Sequence, residues 1–573
     1  MKNIYLYYFT FFMLFPIFAH SQIKSKIWYD GNTRVMYNRD ALEGNLKETD
    51  TVSTRSNGGG FTIVDLGLHF TPVDDIEISS QIRLRNEFGG MWGNRSVVEL
   101  RTLNAKGVIN SKVKFSVGDI YLKQTKFTLY NYDQELSEYE SSVFKFYKDF
   151  VNYENYYDSN YWKLQGLQTN FSYNMYNFIE QIDLDGFTAR VRGLEWLGKP
   201  ELLMLGSSAH FRLSNNINIG SHYINTFEIL STSNGSVAYY NPVFNTQLSY
   251  SSSFKNISYK TLLEGGFSVR GWDGDSLAPE IKGSFIKGSL NSESNKVIFN
   301  LEFRYVDTDF RSIGAQTRRV EYNNINTSYP YYSNNYTQRK VGMLDIMSDP
   351  NIYNQTLSTS LMNYNPMYSS ILPYGDATPN RIGVTFEVDK INLLKNLVFG
   401  FNSQYFSEAV GQGTTNKRVF NKSSLHSKIL LDKLLFLRNS SVDKSIIIEG
   451  SIDTEMVRRG GNNFEKVDFN SFLYSGSISI EIIKNFKVVA GAKVFYAEGN
   501  EFKAIRDMYD QIYDYTNKVY DSKETILIGG LQHNFTDDIY FTMQYNHFDI
   551  KDKTYAYDQF SMGRLIFMFN MNL

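Results

Sequence analysis

The sequence predicts an all-β protein, a single antiparallel β-barrel that spans a membrane, and three observations carry that expectation. The first is the segment 561–573 (SMGRLIFMFNMNL), where Leu565, Phe567, Phe569, Met571 and Leu573 share one parity while Arg564, Asn570 and Asn572 take the other. A strand with this pattern has one apolar face and one mixed face, as the closing strand of an outer-membrane barrel requires between lipid outside and water inside. The second is the recurrence of the same period of two in runs of roughly 10 to 14 residues, the length a tilted strand needs to cross a bilayer. Strands of soluble proteins average only about 5 to 6 residues. The third is a mean hydropathy of -0.35 with no window past the N-terminus near the roughly 18 consecutive apolar residues of a helical span. Without such spans, an exported membrane chain can satisfy its backbone only by closing a sheet on itself.

The N-terminus supplies the export signal. Lys2 gives a positive start, Ile4 to Phe18 (IYLYYFTFFMLFPIF) an apolar run, and Ala19-His20-Ser21 the small residues read by a signal peptidase, so residues 1–21 are expected to be a cleaved signal peptide. Pro16 and the shortness of the run argue against a retained anchor. The chain has no cysteine, which excludes a lipidated N-terminus, disulfides and thiolate chemistry. Residues 22–59 form an N-terminal segment that can add one strand near Thr33 to Asn38, and 60–573 form the barrel. No second domain, solenoid repeat or N-terminal plug is read.

The strands follow in order. Ile76, Ile78, Ile82 and Leu84 face away from Glu77, Gln81, Arg83 and Arg85, and Val297, Phe299, Leu301 and Phe303 from Asn300, Glu302 and Arg304. Leu397, Phe399 and Phe401 alternate with Gly400 and Asn402, and Ile539, Phe541 and Met543 with Thr542 and Gln544. The 42 Tyr and 43 Phe suit aromatic girdles at two interfaces, and the 10 Pro are few enough for long ladders. Tight connectors at 72–75, 214–216, 291–295, 390–394, 483–485 and 534–537 are assigned to the periplasmic side. Long ones at 123–161, 310–378, 409–420 and 499–521 are assigned to the outside. Counting strands between them gives about 20 to 22, within an expected even number of about 16 to 22, and both chain ends fall in the periplasm.

The signal ending in AHSQ, the Asn- and Tyr-rich composition and the phrases RLRNEFGG (83–90) and VGDIYLKQTKFTLYN (117–131) together resemble a porin-like outer-membrane protein of the Bacteroidota. The resemblance covers most of the mature chain in style and transfers no substrate or site residue. It departs from the commonest outer-membrane signal at the last position, where Leu573 stands in place of Phe. It implies outer-membrane lipid and the barrel assembly machinery as partners.

Function must come from the inward parity. Glu77, Arg83, Arg85 and Glu87 on one strand stand beside Arg95, Glu99 and Arg101 on the next, and Arg190 with Arg192, His210 with Arg212, and Glu302 with Arg304 add further candidate lumen-lining charges. An Arg facing lipid at the midplane would cost about 2–4 kcal/mol, which assigns these residues to the inside. Either they form a transverse field at a constriction selecting small polar solutes, or they pair with one another and solvate the wall. On the same argument, Arg83→Leu should cost little because Arg83 sits over water, whereas Leu84→Arg should cost about 2–4 kcal/mol.

No catalytic, cofactor or metal site is read. His210 and His222 flank the 214–216 turn without a third ligand and read as polar wall residues, and Gly265-Gly266 and Gly460-Gly461 read as bends or loops. The net charge of -2 implies no nucleic-acid partner. Segment 133–158 mixes acids with Phe and Tyr, so it either folds inward as a constriction or shields the barrel mouth; 318–378 is Asn- and Tyr-rich, suited to sugar stacking or to the same shielding. Three function classes follow: a passive or weakly selective porin-like channel for small hydrophilic solutes, a non-transporting barrel in a secretion, surface-export or assembly complex with membrane or periplasmic protein partners, and, last, a barrel hydrolase.

Overall fold

In the computed structural model of the chain, the described residues are 26–44, 56–88, 96–132, 139–154, 160–175, 178–193, 200–230, 237–317, 357–362, 364–389, 396–431, 445–536, 538–554 and 559–572. The expected signal peptide and Arg95 lie outside them. The chain runs β1 (Lys26–Gly44), β2 (Ser56–Val73), β3 (Ile76–Glu87), β4 (Ser96–Ile109) and β5 (Val113–Leu122), then helix α1 (Ser142–Glu154). Strands β6 (Trp162–Asn174), β7 (Gln181–Arg192), β8 (Glu201–Arg212), β9 (Ile217–Ile229), β10 (Ala238–Phe254), β11 (Ile257–Asp273), β12 (Ile281–Ser294) and β13 (Ile298–Val306) come next. After the one-turn helix α2 (Ile313–Gln316) follow β14 (Arg381–Asp389), β15 (Leu397–Ser407), β16 (Val419–Leu430), β17 (Ile446–Arg459) and β18 (Val467–Ile483). The last four are β19 (Phe486–Arg506), β20 (Ile512–Asn534), β21 (Ile539–Asp552) and β22 (Phe560–Asn572).

Each strand pairs antiparallel with its sequence neighbour, and β1 pairs with β22 from Asn32↔Asn572 to Gly44↔Phe560, so the 22-stranded sheet is a closed barrel. Among the described residues, the two- and three-residue connections all fall on one rim. Lys255-Asn256 and Lys484-Asn485 are two-residue turns in which Lys255 (φ 54°) and Asn485 (φ 67°) take the left-handed conformation that twisted hairpins demand. Both the start of β1 and the end of β22 lie at this rim. Along the barrel wall, Leu66, Leu84, Leu205, Leu263, Leu301, Leu425, Leu527 and Tyr545 are exposed large apolar side chains. A band of this kind around a closed barrel is suited to lipid and to nothing aqueous. Among the described residues no helix is long and apolar enough to cross a membrane.

Two expectations about connections are corrected. Residues 499–521 are not a loop: β19 and β20 stay paired out to Ile505↔Asp514, leaving only 507–511 as the tip. The extension pairs Asn500 with Val519, Glu501 with Lys518, Phe502 with Asn517 and Lys503 with Thr516, so polar and apolar residues mix without the continuous apolar face that marks a membrane strand. Gly265-Gly266 lie within β11, where a Cβ on Gly266 would come 2.1 Å from Phe244 O and 2.8 Å from the Phe285 ring. That glycine is a point of close packing between neighbouring strands.

The interior is packed with protein. Three segments that leave the long-loop rim, 123–132, 307–317 and 364–380, return into the barrel and knit together: Tyr130 N–H donates to Gly314 O (3.0 Å), Ser312 Oγ to Thr128 O (2.9 Å) and Gln316 Nε2 to Ala377 O (2.5 Å). Gly283 on β12 makes room, since a Cβ there would sit 2.1 Å from Phe310 N. Phe127, Leu129 and Phe310 bury against Trp162, Phe187, Met204 and Phe285 of the wall. On the opposite side, Phe144 of α1 with Met367, Tyr368 and Ile371 packs on Phe406, Phe420, Phe469, Phe495, Phe548, Met562 and Met568. Full burial of such a side chain contributes about 1.5–3 kcal/mol. The inner face is therefore mixed and not uniformly polar, because inward-folded chain needs apolar partners.

Candidate functional site

The charged residues of the interior gather into nodes, each tying an inward segment to the wall. At the first, Asp65 of β2 receives Arg83 Nε and Nη2 (2.8 Å each), Arg101 Nη1 (2.5 Å) and the Tyr153 hydroxyl of α1 (2.5 Å). Arg101 Nη2 also donates to Tyr153 O (2.6 Å), and Arg34 lies 3.7 Å over the Tyr153 ring. Arg101 reaches this point because the β3–β4 register slips between Gln81 and Ile82. Burial, and then the hydrogen bond to Asp65, push the Tyr153 phenol up to about 12, so it stays a donor at neutral pH. The other end of the segment is held by Glu449, which accepts from Tyr139 OH (3.1 Å), Ser142 N (2.9 Å) and Ser142 Oγ (2.6 Å), and by Lys493 with Glu140 (2.5 Å). For residues 139–154, the inward of the two expected placements is the observed one.

The second node centres on Asp376 of the 364–380 segment. Lys287 Nζ lies 2.7 Å from it, Arg304 Nη2 3.0 Å and Lys126 Nζ 3.3 Å, while Glu302 joins both Lys287 (2.8 Å) and Arg304. Burial alone would raise Asp376, but the charges of Arg304, Lys126 and Lys287 outweigh it and hold the carboxyl well below its ordinary 3.8. One cavity opens on each side of this node. Toward the tight-turn rim is a space of about 440 Å³ lined by Lys126, Lys287, Gln168, His210, His222 and Gln247, among others. Toward the long-loop rim is one of about 490 Å³ with Tyr374, Thr378 and Arg381 in its wall.

The remaining residues proposed from sequence are scattered. Glu77 bonds His69 Nδ1 (3.0 Å) and approaches Lys106 (3.4 Å) near the tight-turn rim; Arg85 stacks 4.3 Å over the Phe61 ring and lies 3.7 Å from Glu87. Glu99 stands opposite Arg83 in register and is exposed, as is Arg212 at the end of β8. Arg192 pairs with Glu228 at 2.7 Å, and the His210 and His222 rings meet edge-on at 5.0 Å. Arg190 is a correction. The register shifts between Arg190 and Arg192, so buried Ala189 and Met204 face each other inward, and Arg190 takes the opposite face, half-exposed and 2.8 Å from Glu201. Arg83 is also corrected in its surroundings, being 2% exposed against Asp65 and not over water.

Sequence reading missed the central carboxylates at the two nodes and one of the cations that meet them. Asp65 carries a signal in VDLGL, where it shares the parity of Ile63 opposite Val64 and Leu66. Lys126 and Asp376 belong to irregular segments where no periodicity exists to find them. Among the described residues no three of His, Cys, Asp or Glu group so as to hold a metal ion.

The chain is similar to Pseudomonas aeruginosa OpdK, an outer membrane protein. That alignment has a TM-score of 0.34 at 8% identity and covers 95% of this chain and 99% of OpdK. OccK2 (OpdF) of the same organism gives 0.38 at 8% identity over 95% of this chain and 98% of its own. OpdQ gives 0.38 at 10% over 96% and 98%. Likeness of this degree carries no argument about cargo. No protein-family model and no curated protein matches the sequence.

Proposed function

We propose that the chain is an outer-membrane channel, weakly selective for small hydrophilic solutes. The observation that carries this reading is the pair of polar cavities on either side of the Asp376 node, inside a closed barrel whose outer wall is apolar. Inward-folded segments narrow such a lumen, and charged side chains at the narrowing set which solutes pass. The cleavable signal, recognition by the assembly machinery and a source among the Bacteroidota belong to the same proposal and rest on the sequence features given above.

Single-channel recording of the full-length protein in planar bilayers tests it. Discrete conductance steps are expected, and removing 139–154 should enlarge them because α1 occupies lumen. Replacing Lys126, which is 46% exposed at the node, with Gln should move ion preference toward cations. One feature favours a second reading: with α1 and three further segments inside, the barrel resembles a scaffold closed by its own loops. If neither the intact protein nor the deletion conducts, a non-transporting subunit of a membrane complex is the better account.

A further inference from the structure

The outer cavity carries more positive charge than the described residues neutralise. Arg418 is the balanced member, with Glu408 Oε1 at 2.6 Å and Glu501 Oε1 at 2.9 Å. Asp510 is overcommitted: Arg270 Nη1 (2.5 Å), Arg311 Nε (3.0 Å) and Arg506 Nε (3.5 Å) all converge on its carboxylate. Arg270 is 1% exposed, and its Nε and Nη2 find no acceptor among the described residues. Arg381 has no carboxylate within ion-pair distance among the described residues; its Nε, Nη1 and Nη2 donate to the carbonyls of Ile371, Asn380 and Ser370, and it lies 3.8 Å over Phe420. The nearby Glu455 stands opposite Lys422 in register and receives Ser370 and Ile371 N–H. Among the described residues five arginines thus face three carboxylates, and the lining Lys503, Lys518 and Asp507 bring this to seven cations against four carboxylates, a positive excess in a space where screening by salt is weak.

Arg381, Arg418, Arg506 and Asp510 line the cavity of about 490 Å³ together with Lys503 and Lys518, and Tyr374 and Phe502 supply ring surfaces. That volume matches small-molecule sites, which run from roughly 300 to 1,000 Å³. We propose that this outer cavity is a binding subsite for a sugar-sized phosphate monoester. Its two negative charges answer the positive excess, its three terminal oxygens suit guanidinium donors that point from several directions, and its organic part is accommodated beside the rings. The subsite deepens the channel reading, on which its role in selection rests.

Calorimetry on the detergent-folded full-length protein measures binding apart from transport. Glucose 6-phosphate is expected to bind, gluconate at least about tenfold more weakly, and glucose not at all; inorganic phosphate should fall between the first two. Arg506→Gln, at a side chain 22% exposed, should weaken glucose 6-phosphate about tenfold, and Lys518→Gln a few-fold, while both variants keep the folded barrel's circular dichroism. Equal binding of gluconate, or unchanged affinity in Arg506→Gln, overturns the proposal. In bilayers, binding without conductance would remove the channel reading and leave the subsite, whereas conductance that glucose 6-phosphate neither blocks nor binds would do the reverse.

Discussion

Asp65 is 0% exposed, yet it is among the most heavily bonded groups in the chain, holding two arginines and a tyrosine. Taking a carboxylate out of water is tolerable only while such partners remain, and breaking a buried pair from one side costs about 3–5 kcal/mol. Arg83→Leu should therefore destabilise the folded barrel by about that much, while Leu84→Arg, on the exposed apolar face, should cost about 2–4 kcal/mol. A reversible folding titration in lipid vesicles compares them, and a much smaller loss for Arg83→Leu would mean the Asp65 node is not closed. This order reverses the one that parity alone suggests. Alternation assigns Arg83 a face but says nothing about what fills the space in front of it, and here that is Tyr153, brought from a segment whose own sequence has no strand period. The same blindness applies at Arg190, where one inserted residue in β7 reverses the face.

At the level of elements, α1 is tethered at both ends to separate parts of the wall, through Glu449 on β17 and Asp65 on β2. Glu449→Gln should loosen the first tether, weakening the contacts from Tyr139 and Ser142, and hydrogen exchange of residues 142–154 should accelerate about tenfold or more while the strands stay protected. Uniform acceleration across strands and helix would instead mean that α1 and the wall open as one unit. The 364–380 segment depends on Asp376, whose folded carboxyl titrates below its ordinary 3.8. A depressed acid contributes stability that is complete above the unfolded value and is lost as pH falls through the folded one. Hydrogen-exchange protection of 364–380 should thus keep the Asp376 contribution above about pH 3.8 and lose it only below, and Asp376→Asn should remove that part of the acid dependence. Strands were legible because their period is two and their turns are marked by Asp and Asn; the β19–β20 extension was not, since polar and apolar residues mix on its faces.

For the whole molecule, lipid faces an apolar wall while the interior holds arginines as its largest buried side chains, Arg83, Arg270 and Arg564 among them. The architecture could be read from the ends of the chain and from strand length, because a bilayer imposes both. The occupied lumen could not, since it depends on contacts between irregular segments far apart in sequence. Closure itself rests on the β1–β22 ladder, where Arg564 Nε and Nη2 each lie 2.7 Å from an Asp40 oxygen across 524 positions of chain. Deleting Phe560–Leu573 should leave β1 and β21 with unpaired edges, giving aggregation in place of a protease-resistant barrel. The seam also has a kinetic meaning. Joining ends 524 residues apart costs about 5–6 kcal/mol in chain entropy from the logarithmic length term alone, whereas the other pairings join strands consecutive in sequence, the widest across the segment between Val306 and Arg381. Hairpins should zip early and the β1–β22 contact last, so that the rate of assembly is set by how long the two terminal strands search for each other while the remaining sheet waits, curved but still open.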